Sequence, residues 1–397
     1  MHILYWISLG FVLAGLGLLI YIIIKDAKPL KQQLEKKKKH NYAILIPARN
    51  ESAVIENLLK SIAEQTDLKN TYVIVEKASD KSCRIAEKYG ANVFVRNVTK
   101  ETKRKGYALD ECLKYILSKK KKYDLYFIFD ADNVIAPNYF DEMLKTYSEG
   151  YLIGTGYRNI KNNDNVYATC SGLTFSAINF AFNERRNYTN KGIIIMGTGY
   201  YIDSSLIEKW NGFPFHSLAE DYELSLYCSE HNISTHYNEK AEFFDEQPTT
   251  MKTSITQRTR WVKGFLEARK KIKKINNKNT SRLFGILPYL LIIIGFALYL
   301  FSSFMISFYY IIRGNLLFRK YLIYILITLL IVYMILFAIT YLIIIKEVER
   351  LNIPASNTLK ALFINPIFLL TYIICLFKAL RNPNLEWEQI EHNKTMS

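Results

Sequence analysis

The sequence predicts an α/β fold in which a mostly parallel sheet is flanked by helices, with transmembrane helices at both ends of the chain. Short apolar runs alternate with helical patterns through the first half of the chain, which is typical of parallel strands joined by crossover helices. Long apolar segments lie within residues 3–24 and 283–380, and the composition between them is that of a soluble protein. A chain of 397 residues has room for one large domain or two smaller ones.

The strands can be followed from residue 41 onwards. Five short apolar runs are the predicted strands: Ala43–Ile46, Tyr72–Val75, Val93–Val95, Leu125–Phe129 and Leu152–Gly156. Apolar residues at helical spacing separate them and predict the connecting helices. Because ligands bind at the carboxyl ends of the strands in such sheets, the polar residues that follow each strand are the first candidates for a site.

Polar residues follow three of these strands directly. Pro47-Ala48-Arg49-Asn50-Glu51 follows the first, Glu76–Asp80 the second, and Asp130-Ala131-Asp132 the fourth. Two carboxylates at the mouth of a buried strand are costly unless a partner compensates their charge. Hard oxygen ligands suit Mg²⁺ or Mn²⁺, which usually also bind substrate phosphates. Asp132, with Asp130 beside it, is therefore predicted to hold a metal-bound nucleotide diphosphate, and a solvated turn is the alternative.

Two further motifs allow two interpretations each. Gly197 and Gly199 flank Thr198, which permits either close approach of a ligand to the backbone or a tight turn. Glu220-Asp221 opens a helical run, where negative charge is favoured by the helix dipole by about 0.3–1 kcal/mol. The position of Asp221 among the other polar motifs favours a catalytic role.

A basic, amphipathic helix is predicted over Ser254–Ile275. Its apolar stripe, with basic residues elsewhere, suits a helix that lies in the membrane interface. Gln257 and Arg260 are three residues apart and share a helix face, next to Trp261. A glutamine and an arginine that face the same way can bind an anionic, hydroxyl-rich ligand.

The apolar segments predict membrane spans. Ile3–Ile24 carries no charge and is long enough to cross ~30 Å of hydrocarbon. No basic residue precedes it, which favours an uncleaved anchor, with the chain from Lys25 in the cytoplasm, over a cleaved signal peptide. Leu283–Ile312, tilted or broken at Pro288, and Tyr321–Ile345 are two further spans. Thr358–Phe377 either spans or lies re-entrant.

Charge and cysteine content narrow the class of protein. The formal net charge is +16, and much of it clusters beside the apolar segments, which indicates contact with anionic lipid. No nucleic-acid-binding motif accompanies the charge, so no nucleic-acid partner is expected. The five cysteines are scattered, which predicts neither a disulfide framework nor a zinc site.

These patterns divide the chain into six predicted segments. They are an N-terminal anchor (1–25), a basic linker (26–40), a cytoplasmic catalytic domain (41–253), an interfacial helix (254–282), a membrane region of two or three spans (283–380) and a polar tail (381–397).

Six motifs carry a resemblance to a known family. They are Pro47–Glu51, the acidic strand end at Glu76, Lys105-Gly106-Tyr107-Ala108-Leu109, Asp130-Ala131-Asp132, Glu220-Asp221 and Gln257-x-x-Arg260-Trp261. In this order they resemble the inverting family 2 glycosyltransferases. The match is closest to membrane-integrated polysaccharide synthases, such as cellulose, hyaluronan and poly-N-acetylglucosamine synthases, and to related exopolysaccharide transferases. It covers roughly residues 41–265 and the flanking membrane segments.

The resemblance implies a GT-A fold and an inverting, metal-dependent hexosyl or N-acetylhexosaminyl transferase. The donor would be a UDP-sugar, the metal Mg²⁺ or Mn²⁺, and the acceptor a growing polysaccharide or a lipid-linked sugar. The implied location is the cell membrane, with several spans and a cytoplasmic catalytic domain. The resemblance also implies accessory polysaccharide-export proteins as partners.

The resemblance also implies roles for single residues. The nucleotide pocket would be lined by Pro47, Arg49, Asn50 and Glu51, with Glu76 in contact with the base and Lys105 facing the donor. The sugar, the diphosphate and the metal would be met by Asp130 and Asp132, and the general base would be Asp221 beside Glu220. The diphosphate and the acceptor sugar would be held by Gln257, Arg260 and Trp261. Two residues depart from the family pattern. Glu76 stands where Asp is usual, and Ala219 stands where Thr often precedes Glu-Asp.

Three hypotheses for function remain open from the sequence. A processive synthase would extend, and even export, a polysaccharide for a capsule or exopolysaccharide. A non-processive transferase would add one sugar to a lipid carrier or glycolipid. A catalytically dead membrane scaffold is the third hypothesis, against which the intact Asp132, Asp221 and Arg260 argue. The motif Gln257-x-x-Arg260-Trp261 favours the first.

Overall fold

An eight-stranded sheet is the centre of the computed structural model, which describes residues 2–25, 40–99, 101–184, 187, 192–272 and 281–382. The strands are β1 (Tyr42–Pro47), β2 (Thr71–Val75), β3 (Asn92–Val95), β4 (Leu125–Ile128), β5 (Val134–Ile135), β6 (Ile153–Ile160), β7 (Tyr200–Asp203) and β8 (Thr235–Asp245). Their spatial order is β3-β2-β1-β4-β7-β6-β8-β5.

The sheet has a parallel half and a mixed half. Strands β3, β2, β1 and β4 are parallel neighbours, with Leu45 of β1 opposite Ile128 of β4. Strand β7 then runs antiparallel to both β4 and β6, and β6 pairs parallel with β8. The predicted α/β sheet with flanking helices is confirmed, although its second half is mixed rather than mostly parallel.

Helices cover both faces of the sheet. The described helices are α1 (His2–Lys25), α2 (Ile55–Ala63), α3 (Lys81–Lys88), α4 (Lys105–Ser118), α5 (Tyr139–Ser148), α6 (Val166–Ile178), α7 (Ser204–Trp210), α8 (Glu220–Glu230), α9 (Met251–Ile272), α10 (Ser281–Ile312), α11 (Leu317–Glu347) and α12 (Ala355–Arg381). Along β1, Ile44 and Ile46 pack with α2, α3 and α5, whereas Ala43 and Leu45 pack with α4, α7 and α8. This alternation follows from the two-residue repeat of a strand.

Three described helical segments are long and apolar enough to cross a membrane: Ile294–Ile312, Leu317–Glu347 and Ala355–Arg381. Helix α10 is continuous, so Pro288 does not break it. Helix α1 extends over 24 residues, but its apolar stretch among the described residues is Trp6–Gly15, which is shorter than a span. The N-terminal anchor therefore stays a prediction.

The chain divides into two units. One contains α1, α10 and α11 as far as Tyr341, and in it α1 lies along α10. The lack of a side chain at Gly295 allows this approach, because an added Cβ would lie 2.6 Å from Cγ2 of Val12. The other unit contains the sheet, its helices and α12.

Helix α12 packs against α6 and α9 within the second unit. Arg258 of α9 is fully buried there. Its Nη1 donates to the carbonyl oxygen of Phe368 at 2.8 Å, and its guanidinium lies 3.8 Å from the centre of the Phe368 ring. Part of α9 thus packs in protein, and its location in a membrane interface stays a prediction. Most of the predicted linker (26–40) and tail (381–397), and residues 273–280, lie outside the described residues.

Candidate active site

One cavity of about 460 Å³ opens at the carboxyl ends of β1, β2 and β4. It is lined by all but one of the residues to which the family resemblance gives a role: Pro47, Arg49, Glu51, Glu76, Lys105, Asp130, Asp132, Glu220, Asp221, Gln257, Arg260 and Trp261. Side chains that are far apart in the sequence are therefore brought together in a single site.

Asn50 is the exception and does not line the cavity. Its φ angle of 59° lies in the left-handed region, which asparagine tolerates better than most residues. Its backbone N–H donates to Asp80 Oδ2 at 2.8 Å, and Oδ1 of the same carboxylate caps α3 at the backbone N–H of Ser82. Asn50 therefore joins the loops that follow β1 and β2. Nearby, Arg49 and Glu76 form an ion pair with an N–O distance of 3.1 Å.

Lys105 connects the acidic groups of the site. Its Nζ lies 2.5 Å from Oδ1 of Asp130, 2.6 Å from the carbonyl oxygen of Gly197 and 3.6 Å from Oε1 of Glu220. Burial alone would lower the pKa of Lys105, but Asp130 and Glu220 outweigh it and the pKa is raised. The lysine is therefore a fixed positive charge between the loop after β4 and the start of α8.

The Gly197-Thr198-Gly199 segment is a turn that supports the loop after β4. The Thr198 hydroxyl accepts the backbone N–H of Asp130 at 2.8 Å and donates to Oδ1 of Asn133. Both glycines have positive φ angles, 84° and 62°. A Cβ at Gly199 would overlap the Phe243 ring, whereas a Cβ at Gly197 would lie only 3.5 Å from Oδ2 of Asp221. The segment serves as a tight turn, and Gly197 also lines the cavity.

Glu220 and Asp221 occupy the first turn of α8, where the helix dipole favours negative charge. Glu220 is buried, and burial raises its pKa from the ordinary value of 4.5 to about 7, although Lys105 opposes this. Burial also raises the pKa of Asp221, against hydrogen bonds from backbone amides and the charges of Lys105 and Arg158. This pair of carboxyl groups can accept a proton closer to neutral pH than exposed carboxylates do.

Two residues of α9, Gln257 and Arg260, complete the polar part of the cavity. Gln257 is buried, and Arg260 lies among Glu220, Asp130 and Asp221. Burial lowers the pKa of Arg260, but an arginine stays protonated at neutral pH. Arg260 thus adds a positive charge near the same acidic groups, Asp130 and Glu220, that Lys105 contacts.

The sequence analysis missed an ion pair in the wall of the site. Arg158 of β6 donates through Nε to Oδ2 of Asp245 at 2.9 Å and through Nη1 to the carbonyl oxygen of Met196 at 3.0 Å. Burial acts to lower the pKa of Arg158, but the negative charge of Asp245 outweighs burial and the pKa is raised. The guanidinium therefore stays charged. Arg158, Asp245 and Glu246 all line the cavity. A charged residue within a buried strand was the signal that could have found Arg158.

Lys161 lies behind the predicted metal-binding loop and was also missed. Its Nζ donates to the backbone carbonyl oxygen of Asp132 at 2.9 Å, and the residue is buried. Burial lowers the pKa of Lys161 despite the negative charge of Asp132. The lysine therefore fixes the backbone of Asp132, which lines the cavity.

The donor set around Asp130 and Asp132 fits a cation that substrate oxygens complete. In the described ranges, no group of three or more His, Cys, Asp or Glu side chains is placed to hold a metal. Mg²⁺ is usually held by one or two carboxylates together with water and substrate phosphates, rather than by a cage of protein ligands. Two carboxylates that open into a large cavity match that arrangement.

Comparison with known proteins identifies the family. A model described as glycosyl transferase family group 2 matches residues 127–345, more than half of the chain, and one described as glycosyl transferase family 2 matches residues 43–210. The chain belongs to glycosyltransferase family 2. The resemblance drawn from the motifs is thereby confirmed.

Two curated relatives of this glycosyltransferase are each 25% identical to it. The hyaluronan synthase of Streptococcus pyogenes matches over 319 residues, which is 73% of this chain and 74% of the relative. A probable glycosyltransferase of Bacillus subtilis (strain 168), YdaM, matches over 230 residues, 56% of this chain. The match spans about half of YdaM, 54% of its length.

A solved structure shares the fold. The mannosyltransferase PcManGT from Pyrobaculum calidifontis, in complex with GDP-Man and Mn²⁺, aligns with a TM-score of 0.58 and 12% identity. The alignment covers 94% of this chain and 99% of that one. The predicted GT-A fold is confirmed by this likeness.

Proposed function

We propose that this glycosyltransferase transfers a sugar from a UDP-sugar to a hydroxyl group of a growing polysaccharide, with inversion at the anomeric carbon. The observation that carries the proposal is the convergence of the acidic groups Asp130, Asp132 and Asp221 with the cations Lys105 and Arg260 on one cavity. The relationship to hyaluronan synthase supports the choice of a polysaccharide as the product.

The chemistry requires one base and a stabilised leaving group. Asp221 takes the proton of the acceptor hydroxyl while the hydroxyl oxygen attacks the anomeric carbon, and the bond between that carbon and the phosphate oxygen breaks. UDP leaves with the bonding electrons. Help from a general base is worth about 10²–10⁴-fold in rate. A single displacement of this kind inverts the anomeric centre and needs no nucleophilic carboxylate.

Positive charge in the cavity stabilises the departing diphosphate. Arg260 and Lys105 are fixed cations. They stabilise the negative charge that develops on UDP in the transition state more than they stabilise the ground state. Asp130 and Asp132 are the residues that would hold a divalent cation, Mg²⁺ or Mn²⁺. When bound, the cation would neutralise further charge on the diphosphate.

We further propose that the catalytic domain (41–253) faces the cytoplasm, where UDP-sugars are made, and that the apolar helices anchor it in the cell membrane. Three described helical segments that can cross a membrane support a membrane protein. An acceptor that is a polymer or a lipid-linked sugar at the bilayer explains why a transferase would be anchored there.

The experiment is to incubate the purified full-length protein in detergent with Mn²⁺ and a panel of UDP-sugars. Release of UDP and the size of the product are measured together. A polymer with inverted anomeric configuration is the expected result. Addition of a single sugar to a lipid would reject the polysaccharide acceptor, and no turnover with any donor would reject the proposed transferase activity.

A further inference from the structure

The cavity has an aromatic wall apart from its charged groups. Trp261 and Phe265 lie one turn apart on α9, and both line the cavity. Each has an aromatic neighbour that also lines it. The Phe175 ring of α6 is 5.9 Å from the Trp261 ring, and the Tyr222 ring of α8 is 4.5 Å from the Phe265 ring, measured between centroids. The wall therefore consists of two aromatic pairs in succession.

The second pair leaves apolar surface open to the cavity. Phe265 is 37% exposed and lines the cavity, so part of its ring is accessible to a ligand. Four residues of α-helix separate Trp261 and Phe265 by about 6 Å along the axis. This separation is comparable to the length of one sugar unit in an extended chain. The two pairs are thus spaced as platforms for two successive sugar rings.

Polar groups at the second pair indicate what kind of ligand it takes. Arg269 donates through Nε and Nη2 to the Tyr222 hydroxyl, at 3.2 and 2.9 Å. Arg104, which lines the cavity, donates to Glu267 Oε2 at 2.9 Å. An alkyl chain placed here would remove water from these polar groups and give no hydrogen bonds in return. A sugar presents C–H groups to the rings and hydroxyls to the charged side chains.

We propose that Tyr222 and Phe265 bind the second sugar of the acceptor, next to a terminal sugar at Trp261. This inference rests on the proposed function and deepens it: the preferred acceptor is a saccharide of at least two units. Discrimination between short and long acceptors would then arise within the catalytic unit itself.

The test uses the full-length protein in detergent, with the donor that the panel of UDP-sugars identifies. Acceptors are the mono-, di- and tetrasaccharides obtained by hydrolysis of the product. For wild type, KM should fall from the mono- to the disaccharide. Phe265→Ala should raise KM for the disaccharide about tenfold, the size expected for loss of an aromatic contact, and should raise KM for the monosaccharide by clearly less. Phe265→Trp should restore the low KM.

A matched control is Phe180→Ala. Phe180 is 47% exposed but does not line the cavity, so the preference for the disaccharide should persist. If Phe265→Ala raised KM equally for the mono- and the disaccharide, the subsite would be overturned. It would also be overturned if KM rose only for monosaccharides that carry an alkyl chain, because Phe265 would then bind the alkyl chain and not a second sugar. If wild type releases no UDP from any donor, the proposed function itself fails. If wild type makes polymer and Phe265→Ala keeps its preference for the disaccharide, only the subsite is wrong.

Discussion

Asp221 is the side chain on which the proposed transfer depends most directly. Replacing it with asparagine keeps the shape of the group but removes its ability to take a proton. We expect Asp221→Asn to bind UDP as wild type does and to lose about 10²–10⁴-fold in transfer rate. Calorimetric titration with UDP and a coupled assay of UDP release measure the two effects.

Asp141→Asn is the control for this variant, because Asp141 is exposed on α5 and lies outside the cavity lining. It should transfer at the wild-type rate. If Asp221→Asn instead lost its affinity for UDP, Asp221 would belong to the donor site and the assignment as base would be refuted.

The burial of Glu220 and Asp221 predicts how activity depends on pH. Both pKa values are raised, that of Glu220 to about 7, so these carboxyls become protonated at a higher pH than exposed ones. A base works only when ionised. Because the pKa of the proposed base Asp221 is raised by burial, we expect kcat/KM to begin to fall at a pH above the ordinary carboxylate value as the pH is lowered. A pH–rate profile flat down to pH ~4, near the pKa of an exposed carboxylate, would contradict this.

The same shift has a consequence for stability. The folded state holds the proton more tightly than the unfolded state, so the free energy of unfolding should decrease as the pH rises from the ordinary value of 4.5 to about 7. Glu220→Gln removes the titrating group and should flatten this dependence, which thermal unfolding at several pH values can measure.

Asp132 is the predicted metal ligand, and its backbone is already fixed by Lys161. Removing the carboxylate should therefore abolish metal-dependent UDP binding without unfolding the loop. We expect Asp132→Ala to bind UDP no more tightly with Mn²⁺ than with EDTA, whereas wild type should show a clear difference. The exposed Asp164 provides the control Asp164→Ala. If Asp132→Ala kept the Mn²⁺-dependent affinity of wild type, the metal site would lie elsewhere.

At the scale of elements, the first four strands and the start of β6 could be predicted, whereas β5, β7 and β8 could not. β1, β2 and β4 are short, buried apolar runs that end in polar motifs, which is the pattern of parallel strands, and β3 is a short run that is only partly buried. β8 contains charged residues, and its pairing register shifts opposite Gly156–Tyr157. Both features hide the alternation of buried and exposed residues that marks a strand. Arg158 and Asp245 were missed for the same reason: they are single charges in strands and belong to no local motif. Only the pairing of β6 with β8 brings them together.

Close packing of α9 against the loop before α8 holds α9 next to the proposed catalytic groups Glu220 and Asp221. Gly264 makes this possible, since an added Cβ would lie 2.5 Å from both N and Cβ of Ala219. Gly264→Ala should displace α9 from Glu220 and Asp221, cost about 1–3 kcal/mol in stability and lower kcat. Thermal unfolding and kinetics are the measurements. Gly17→Ala, where an added Cβ meets nothing within 4 Å, is the matched control. Wild-type kcat in Gly264→Ala would show that this contact is not required.

At the scale of the whole molecule, the catalytic unit is not a continuous piece of chain. It contains the sheet and its helices, and also α12, which follows α10 and α11 in sequence. Sequence patterns alone assigned α12 to the membrane region because it is apolar. Composition does not show that α12 contacts α6 and α9. It also does not show that the buried Arg258 lies against Phe368.

This arrangement predicts that the C-terminal segment is needed for catalysis. Deleting residues 348–397 removes α12, so Arg258 loses the carbonyl oxygen and the ring of Phe368 that now cover it. A buried charge left without such a partner costs about 1–3 kcal/mol or more, and α9 carries Gln257, Arg260 and Trp261. We expect the shortened chain to lose transfer and UDP affinity together, measured in the same detergent as wild type. Deleting only residues 383–397 keeps α12 and should preserve both. Transfer at the wild-type rate without α12 would show that α9 holds its catalytic position unaided.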